Sequence, residues 1–269
     1  TPDGKQVVTG GIDETLRVWN LATGREERVL TRIGRVITVA ITPDGQHVFC
    51  GTEGTLRTWD LTTGTEKRLL TGRKGRTHYV AVTPDGRRVV SSGSSRIQVW
   101  GTMSGQVEHT LAEQEHGLHS VAVTPDGQRV IAGGDDDRLR VWDLVTGHEE
   151  RPFRGHGRGS RAMVVTPDGK RLISWAWTNT INVWNWDARR EERILTGHED
   201  WVSSVAVAPD RRYIVSGGYD RTLRLWNLDT GRELVRVALD ASVMALAVAP
   251  SKPTIVVVGY ENGGITCLE

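Results

Sequence analysis

The chain has few cysteines, no long apolar run and no signal-like start, and each absence narrows its class. Only two cysteines occur in 269 residues, Cys50 and Cys267, and neither belongs to a Cys-x-x-Cys pair. That number excludes a disulfide-stapled scaffold, and we expect buried thiols without a redox role. No apolar stretch approaches the roughly 18 residues of a membrane helix, and residues 1–5 have turn chemistry instead of a signal-like apolar run. We therefore expect a soluble, cytoplasmic protein that does not contact a membrane.

A strong excess of positive charge is also absent. The 34 Lys and Arg residues are nearly balanced by 33 Asp and Glu residues, which leaves a formal net charge of +1. A protein that neutralises many phosphates needs a basic excess or a basic face. The balance disfavours nucleic-acid binding, which we keep as an alternative because arginines recur at several loop positions.

What the chain does have is internal repetition at a fixed period, which governs every later assignment. The turn Thr-Pro-Asp-Gly begins at residues 1, 42, 83, 124 and 166, and weaker copies begin at residues 208 and 249. A second series keeps the same spacing of about 41 residues, with Cys267 where a seventh tryptophan would fall; its members are Trp19, Trp59, Trp100, Trp142, Trp184 and Trp226. Two independent markers thus predict seven repeats.

Each repeat has the pattern of four short β-strands. In the sixth repeat, residues 202–207, 213–216 and 222–226 are β-branched or aromatic runs that alternate with period two between turn residues. Proline at the second turn position presets φ, and the glycine after aspartate accepts the positive φ that closes the hairpin. A charged last strand, such as residues 26–28, would form an outer edge that resists aggregation.

The sixth repeat resembles the repeat of the WD (Trp-Asp) family. Gly-His at residues 197–198, Ser216, Asp220 and Trp-Asn at residues 226–227 match the positions that define that repeat. The resemblance implies an all-β fold, a seven-bladed β-propeller of four-stranded antiparallel blades in a single domain, with strands a to d running from the innermost to the outermost. The approximate blade boundaries are 1–31, 32–72, 73–112, 113–154, 155–196, 197–238 and 239–269.

The chain ends fall inside the first and last blades. Residue 1 lies in the turn between strands a and b of blade 1, and residue 269 lies just past strand c of blade 7. We therefore expect strand a of blade 1 and strand d of blade 7 to be missing from this chain. This arrangement predicts a longer parent protein with sequence beyond both ends.

In the WD family a histidine, a hydroxyl, an aspartate and the strand-c tryptophan form a structural tetrad, in which each buried polar group satisfies the next. Blade 6 carries all four, as His198, Ser216, Asp220 and Trp226. The same residue types could be mistaken for a hydrolase triad, but no Gly-x-Ser-x-Gly elbow accompanies them. We interpret these four residues as structural and expect no catalytic residue.

The other blades keep only part of the tetrad. Blade 1 has Thr9, Asp13 and Trp19, blade 2 has Cys50 at the hydroxyl position, and blade 5 has Thr178 in place of the aspartate. We therefore expect a complete network in blade 6 alone.

The partner-binding site is expected on the face formed by the connections before strand a and between strands b and c, which is the usual recognition face of the family. Three positions per blade should look outward there, and in blade 6 they are Trp201, Ser203 and Tyr219. The equivalent aromatic, basic and methionine residues in other blades are Arg35, Arg76, His78, His119, Arg161, Trp177, Met244 and Tyr260. Tryptophan, tyrosine and arginine are enriched at interface hot spots, and they concentrate in blades 5 to 7. The pattern would suit a partner with an apolar anchor beside acidic groups, and the alternative is that Trp177 and Trp201 pack under neighbouring loops.

Two clusters could be mistaken for metal sites. His116 and His119 follow two glutamates, and residues 135–137 are three consecutive aspartates. The histidine cluster offers no third fixed ligand, and the aspartates coincide with the turn between strands b and c that contains the tetrad position, so we interpret both as ordinary connections and expect no metal and no cofactor.

The leading functional hypothesis is a non-catalytic scaffold or sensor domain that binds a protein or peptide partner. The phrase Val-Trp-Asp-Leu-x-Thr-Gly resembles bacterial WD-repeat chains, in which the propeller is often joined to an effector or NTPase domain. A nucleic-acid-binding module is one alternative. A channel-sited enzyme is a weaker one, because no convergent set of catalytic residues recurs at the channel-facing strands.

Overall fold

The computed structural model describes residues 1–31, 33–70, 77–93, 96–113, 117–136, 138–154, 160–250 and 255–268. All 26 regular elements in these residues are β-strands, and they form seven antiparallel sheets in chain order. In each sheet the strands pair with their neighbours in sequence, so each sheet is one blade. The described part of the chain contains no apolar helix of the length that a bilayer crossing needs.

Blades 1 to 4 contain strands β1 to β15. Blade 1 has three strands, β1 (Gln6–Gly10), β2 (Leu16–Asn20) and β3 (Glu26–Leu30). Blade 2 has four, β4 (Val36–Ile41), β5 (His47–Thr52), β6 (Leu56–Asp60) and β7 (Glu66–Leu70). Blade 3 has β8 (Thr77–Val82), β9 (Arg88–Gly93), β10 (Arg96–Gly101) and β11 (Val107–Glu113). Blade 4 has β12 (Leu118–Val123), β13 (Arg129–Gly134), β14 (Arg138–Asp143) and β15 (Glu149–Arg154).

Blades 5 to 7 contain the remaining strands. Blade 5 has β16 (Ala162–Val165), β17 (Arg171–Trp175), β18 (Thr180–Asn185) and β19 (Arg190–Thr196). Blade 6 has β20 (Val202–Val207), β21 (Tyr213–Gly218), β22 (Thr222–Asn227) and β23 (Glu233–Ala238). Blade 7 has three strands, β24 (Val243–Val248), β25 (Val256–Tyr260) and β26 (Ile265–Leu268).

These sheets are the blades of a seven-bladed β-propeller, as the repeats predict. The expected gaps are confirmed for the described residues, because Thr9 of strand b lies in the first strand of blade 1 and Cys267 of strand c lies in the last strand of blade 7. The chain divides into two compact units, the first made of Thr1–Asp135 with Arg140–Pro152 and the second of Asp136–Leu139 with Phe153–Glu269.

The Thr-Pro-Asp-Gly turn folds as it does because its side chains hydrogen-bond to the backbone around them. In blade 3, Thr83 Oγ1 donates to Asp85 Oδ1 at 2.6 Å and accepts from the N–H of Arg88 at 3.0 Å. Asp85 Oδ1 also accepts from the N–H of Arg87 at 3.0 Å. Gly86 has a φ of 70°, a left-handed conformation that glycine adopts without steric cost. The turn therefore joins strands a and b with its polar groups satisfied.

Within each compact unit, the apolar core lies between the faces of adjacent blades. In the first unit, Leu16 and Val18 of β2 belong to one buried cluster with Val36 of β4. In the second, Val215 of β21 and Val243 of β24 share another. Burial of alternate side chains therefore fixes the stacking of neighbouring sheets and leaves the connections between strands to present the candidate site.

Candidate interaction surface

Blade 6 contains a continuous hydrogen-bonded network that links four of its segments. His198 precedes β20, Ser216 lies in β21, Asp220 lies in the following turn and Trp226 lies in β22. The His198 ring contacts Asp220 Oδ2 through Nδ1 at 2.8 Å and Ser216 Oγ through Nε2 at 2.7 Å. The indole N–H of Trp226 donates to Ser216 Oγ at 2.8 Å. The structure thus brings together the four residues assigned to the tetrad.

Burial determines the charge of this network. The side chains of His198 and Asp220 are 1% and 4% exposed. Desolvation lowers the pKa of His198, and its hydrogen bond to Asp220 opposes that shift. Desolvation acts to raise the pKa of Asp220, but hydrogen bonds from the Glu199 N–H, from His198 and from Thr222 outweigh it, and the pKa is lowered. At neutral pH a neutral imidazole therefore faces an ionised carboxylate.

A second layer of polar contacts extends the network and was not predicted. Arg224, whose side chain is 2% exposed, contacts Asp220 Oδ2 at 3.4 Å and Glu233 Oε2 at 2.7 Å. Thr222 Oγ1 donates to Asp220 Oδ1 at 2.9 Å and accepts from Arg224 Nε at 3.1 Å. The sequence does contain a signal for these contacts, because the pattern Asp-x-Thr-x-Arg occurs at both 13–17 and 220–224.

Gly197 precedes His198 because no side chain fits at that position. A Cβ atom there would lie 2.8 Å from Arg224 Nη1, 2.9 Å from Glu233 Oε2 and 2.9 Å from the Trp226 ring. All three distances are shorter than carbon atoms tolerate in folded proteins, so the Gly-His pair is a packing requirement.

The network has the residue types of a hydrolase but not the access. Ser216 is 0% exposed, and its hydroxyl is shared between His198 and Trp226. A nucleophile must be reached by its substrate, so this geometry favours a structural role.

Other blades form smaller versions of the same contact. The indole N–H of the strand-c tryptophan donates to a hydroxyl in blades 1, 3 and 5, through the pairs Trp19–Thr9 at 2.9 Å, Trp100–Ser91 at 3.0 Å and Trp184–Ser174 at 2.8 Å. Blade 2 differs, because Cys50 takes the hydroxyl position and the buried Trp59 N–H has only a weak interaction with its sulfur and no regular hydrogen bond among the described residues. Burial raises the pKa of the Cys50 thiol to about 12. The expectation of buried thiols is wrong for Cys267, which is exposed.

Two exposed tryptophans and a half-buried tyrosine form a row at the connections of blades 5 and 6, which we name the aromatic cluster: Trp177, Trp201 and Tyr219. Trp177 and Trp201 are 51% and 46% exposed, so neither is packed under a loop. Their ring centroids lie 5.0 Å apart at an interplanar angle of 71°, and those of Trp201 and Tyr219 lie 6.2 Å apart at 85°. The guanidinium carbon of Arg161 lies 3.6 Å from the Trp177 ring centroid. Edge-to-face and cation–π contacts of this kind fix ring orientations.

Backbone hydrogen bonds position the loops that carry the aromatic cluster. The N–H of Val202 donates to the carbonyl of Thr178 at 2.9 Å, which ties the start of β20 to the turn after β17. The N–H of Tyr219 donates to the carbonyl of Trp201 at 2.9 Å. The three rings are therefore attached to strand ends and not to a long free loop.

An open cleft of about 490 Å³ adjoins the aromatic cluster. We name it the acidic cleft, because two of its seven lining residues are carboxylates; the lining consists of Trp177, Thr178, Asn179, Thr180, Glu199, Asp200 and Trp201. Sequence reasoning missed both carboxylates, although they immediately precede Trp201 in the chain.

The remaining candidates of blades 6 and 7 differ in exposure. Met244 is 42% exposed, whereas Tyr260 is half-buried against the apolar core of blades 6 and 7. Ser203, expected to look outward, is buried, and its hydroxyl lies within hydrogen-bonding distance of the carbonyl oxygens of Gly217 and Val243. The register shift between Val202 and Ser204 does not explain this burial by itself, because blade 7 has the same shift between Val243 and Ala245 and Met244 is exposed; the small Ser203 side chain can turn inward to the two carbonyls.

The candidates of the first compact unit pair with their own neighbours. Arg35 Nη1 lies 3.6 Å from Glu53 Oε1. His119 Nε2 contacts Asp135 Oδ1 at 2.7 Å, and the rings of His78 and His119 meet edge to face at 5.3 Å. Among the described residues of this unit, the candidate positions do not form an aromatic row like the aromatic cluster. Arg76 lies outside the described residues.

The described residues contain no group of three or more His, Cys, Asp or Glu side chains that could hold a metal ion. His119 and Asp135 form a pair, which is too few ligands for a protein metal site. His116 and Asp137 lie outside the described residues.

Comparison with known families agrees with the architecture. Four segments match the family described as WD domain, G-beta repeat: residues 1–20, 27–60, 105–143 and 189–227. Each segment ends at the residue that follows a strand-c tryptophan, which is Asn20, Asp60, Asp143 or Asn227. None of the curated proteins compared with the chain matches it. The four matches and the seven copies of one blade show that the chain belongs to the WD-repeat β-propeller family, whose fold is commonly a scaffold for protein interaction.

Proposed function

We propose that the chain is a non-catalytic scaffold or sensor module that binds a protein or peptide partner through the aromatic cluster. The exposure of Trp177 and Trp201 carries this proposal. A tryptophan side chain presents about 150–250 Å² of surface, so covering the exposed half of each would contribute roughly 2–3 kcal/mol at 25 cal/mol per Å². Two such side chains in contact form the kind of anchor that dominates interface energetics.

Preorganisation supports the same surface. The rings hold each other edge to face, Arg161 covers part of Trp177, and backbone hydrogen bonds tie their loops to strand ends. A partner that binds a prearranged surface loses little additional conformational entropy, which leaves more of the contact energy as affinity.

The partner can belong to the same parent polypeptide. Under this proposal an effector or NTPase domain joined to the propeller in a bacterial, cytoplasmic protein would be a suitable ligand for the aromatic cluster. A nucleic acid is a poorer ligand, because the net charge is +1 and two carboxylates lie beside the rings. A catalytic role is disfavoured by the burial of Ser216.

A selection experiment tests the proposal. Random peptides displayed on phage are selected against the parent chain, and the peptides recovered are titrated against Trp201→Ala and against Met103→Ala. We expect Trp201→Ala to lose about 2 kcal/mol of affinity, roughly 30-fold, without a change in melting temperature. Met103 is 87% exposed in the connection between strands c and d of blade 3, so Met103→Ala removes an exposed apolar group away from the expected face and should leave affinity unchanged. Peptides that bind Trp201→Ala as tightly as the parent would place the interaction elsewhere.

A further inference from the structure

The acidic cleft beside the aromatic cluster has a charge pattern that specifies its ligand. Its lining combines two indole rings with two carboxylates and contains no lysine, arginine or histidine. A flat aromatic surface attracts cations through its ring quadrupole, and a carboxylate attracts them directly. Both features therefore favour a positively charged ligand in the cleft.

Asp200 is the carboxylate that is open to a ligand. Its side chain is exposed, and Oδ1 accepts the N–H of Trp201 at 2.7 Å. Within the described ranges, no lysine or arginine lies within ion-pair distance of it. An aspartate fixed beside a half-exposed tryptophan retains full capacity to accept a hydrogen bond from a cationic group.

Glu199 can also serve an incoming cation. Its Oε1 lies 2.8 Å from Arg236 Nη2, and the two side chains are 70% and 47% exposed. Ion pairs with such exposure are weak and exchange readily. A second basic group can therefore share or replace Arg236 at this carboxylate.

Arg161 shows that an indole of this surface accommodates a guanidinium. Its Cζ lies 3.6 Å from the ring centroid of Trp177, well inside the range of a cation–π contact. Trp201 has no such internal cation among the described residues, and nearly half of its surface stays in water. Trp201 and Asp200 together thus leave a place for one basic side chain.

We propose that the acidic cleft binds the side chain of a lysine or arginine in an extended peptide segment of the partner. The proposal rests on the function proposed above and specifies its ligand. It reverses the expectation from sequence that acidic groups of a partner would meet this surface, since Glu199 and Asp200 would repel them. The exposed amide of Asn179, which also lines the cleft, can hydrogen-bond to the peptide backbone.

The test uses four capped pentapeptides that are identical except at the central residue, which is arginine, lysine, norleucine or glutamate. Each peptide is titrated into the full chain labelled with ¹⁵N, and the indole N–H signals are assigned with Trp177→Phe and Trp201→Phe. We expect the arginine and lysine peptides to shift the Trp177 and Trp201 signals saturably. The norleucine and glutamate peptides should bind at least about tenfold more weakly, because they lack the cation that both features select.

Charge variants separate the carboxylate from the rings. Asp200→Asn should weaken the arginine peptide about five- to tenfold and reduce the dependence of its affinity on salt concentration. Asp187→Asn is the matched control, since Asp187 is an exposed aspartate beyond the other end of β18, about 20 Å away at 3.3 Å per residue. It should leave affinity unchanged.

Several outcomes overturn the proposal. They are equal binding of the norleucine peptide, tighter binding of the glutamate peptide, no effect of Asp200→Asn, and no shift with any of the four peptides. The function itself is judged separately by the phage-selected peptides. If these depend on Trp201 but show no enrichment of lysine or arginine, the interaction surface stands and the basic ligand is wrong.

Discussion

Blades 1 and 6 contain the same polar side chains at the same spacing, yet the two sets differ in burial. Asp13, Arg17 and Glu26 in blade 1 correspond to Asp220, Arg224 and Glu233 in blade 6, each 207 positions later. In blade 1, Arg17 lies 3.0 Å from Asp13 and 2.7 Å from Glu26. In blade 6, Arg224 lies 3.4 Å from Asp220 and 2.7 Å from Glu233. The contacts are thus repeated almost unchanged.

The difference lies in what covers these contacts. The side chains of Asp13 and Arg17 are 50% and 37% exposed, whereas those of Asp220 and Arg224 are 4% and 2% exposed. In blade 6 the segment that begins with His198 and continues into β20 lies over the network, and the sheet of blade 1 has no strand beside β1 other than β2 among the described residues. The repeat sequence specifies which residues pair. The Gly-His segment and strand a determine how deeply these pairs are buried, and therefore how much they contribute to stability.

Removing the tetrad aspartate should have the largest effect. Asp220→Ala removes the buried carboxylate that His198 and Arg224 share, and breaking a buried ionic network typically costs about 3–5 kcal/mol. We expect a loss of about 3 kcal/mol in the free energy of unfolding, because Arg224 retains Glu233. The equivalent Asp13→Ala removes an exposed pair and should cost less than about 1 kcal/mol.

Urea denaturation of both variants measures this contrast. Equal losses in Asp13→Ala and Asp220→Ala would show that cover by strand a does not set the strength of the network. A small loss in both would indicate that Arg224 and His198 find water when Asp220 is removed.

Acid should weaken blade 6 through His198. Its pKa lies below the ordinary value of 6.5 in the folded chain, so the unfolded chain binds more protons around and below pH 6.5, and the chain becomes less stable as the pH falls. Asp220 acts in the same direction at lower pH, since its stabilising contribution is lost only as pH falls through 3.8 and below. Between pH 7 and pH 5 the parent should lose more stability than His198→Gln, by at most about 2 kcal/mol, which is the limit for a histidine that takes up no proton in the folded chain.

The measurement is the difference between the parent and His198→Gln in free energy of unfolding at each pH. The other histidines titrate in both chains, so their contributions cancel. A parent that becomes more stable than the variant on acidification would mean that His198 takes up a proton and pairs with Asp220 as an ion pair.

The sequence was sufficient to predict the blades and the positions of the tetrad residues, because both depend on fixed spacing along the chain. Strand-c tryptophans and Thr-Pro-Asp-Gly turns recur with nearly constant period, so each position can be transferred from one blade to the next. The sequence failed to predict the burial of Ser203, because its small hydroxyl bonds to the carbonyl oxygens of Gly217 and Val243, and the spacing of the repeats does not indicate that contact. It also missed Glu199 and Asp200, because repeat counting compares equivalent positions and the acidic cleft is formed across two adjacent blades.

Blade 2 extends the comparison to the hydroxyl position. Trp59 is 8% exposed although its N–H makes no regular hydrogen bond among the described residues and only a weak interaction with the Cys50 sulfur, and Trp226 is 1% exposed with its N–H bonded to Ser216. Burying an indole contributes about 4–6 kcal/mol through its apolar area. An unsatisfied donor costs only about 1–3 kcal/mol. Burial therefore dominates, and the tryptophan keeps its place even where the hydroxyl is missing.

The smallest expected effect is a gain in stability from Cys50→Ser, which tests the role of the hydroxyl in the comparison of blades 2 and 6. Cys50 occupies the position of Ser216, and its buried thiol, with a pKa of about 12, remains protonated and is a weak acceptor. A serine hydroxyl should accept the Trp59 N–H at about 2.9 Å, the distance typical of such a bond. The new hydrogen bond should raise the free energy of unfolding by about 0.5–1 kcal/mol, since the loss of apolar sulfur offsets part of the gain.

Cys50→Ala is the control, because it removes the sulfur without adding an acceptor and should destabilise the chain. Thermal unfolding of the three chains should rank serine above cysteine and cysteine above alanine. If serine ranks below cysteine, packing of the sulfur outweighs the hydrogen bond, and a thiol stabilises blade 2 more than a hydroxyl does.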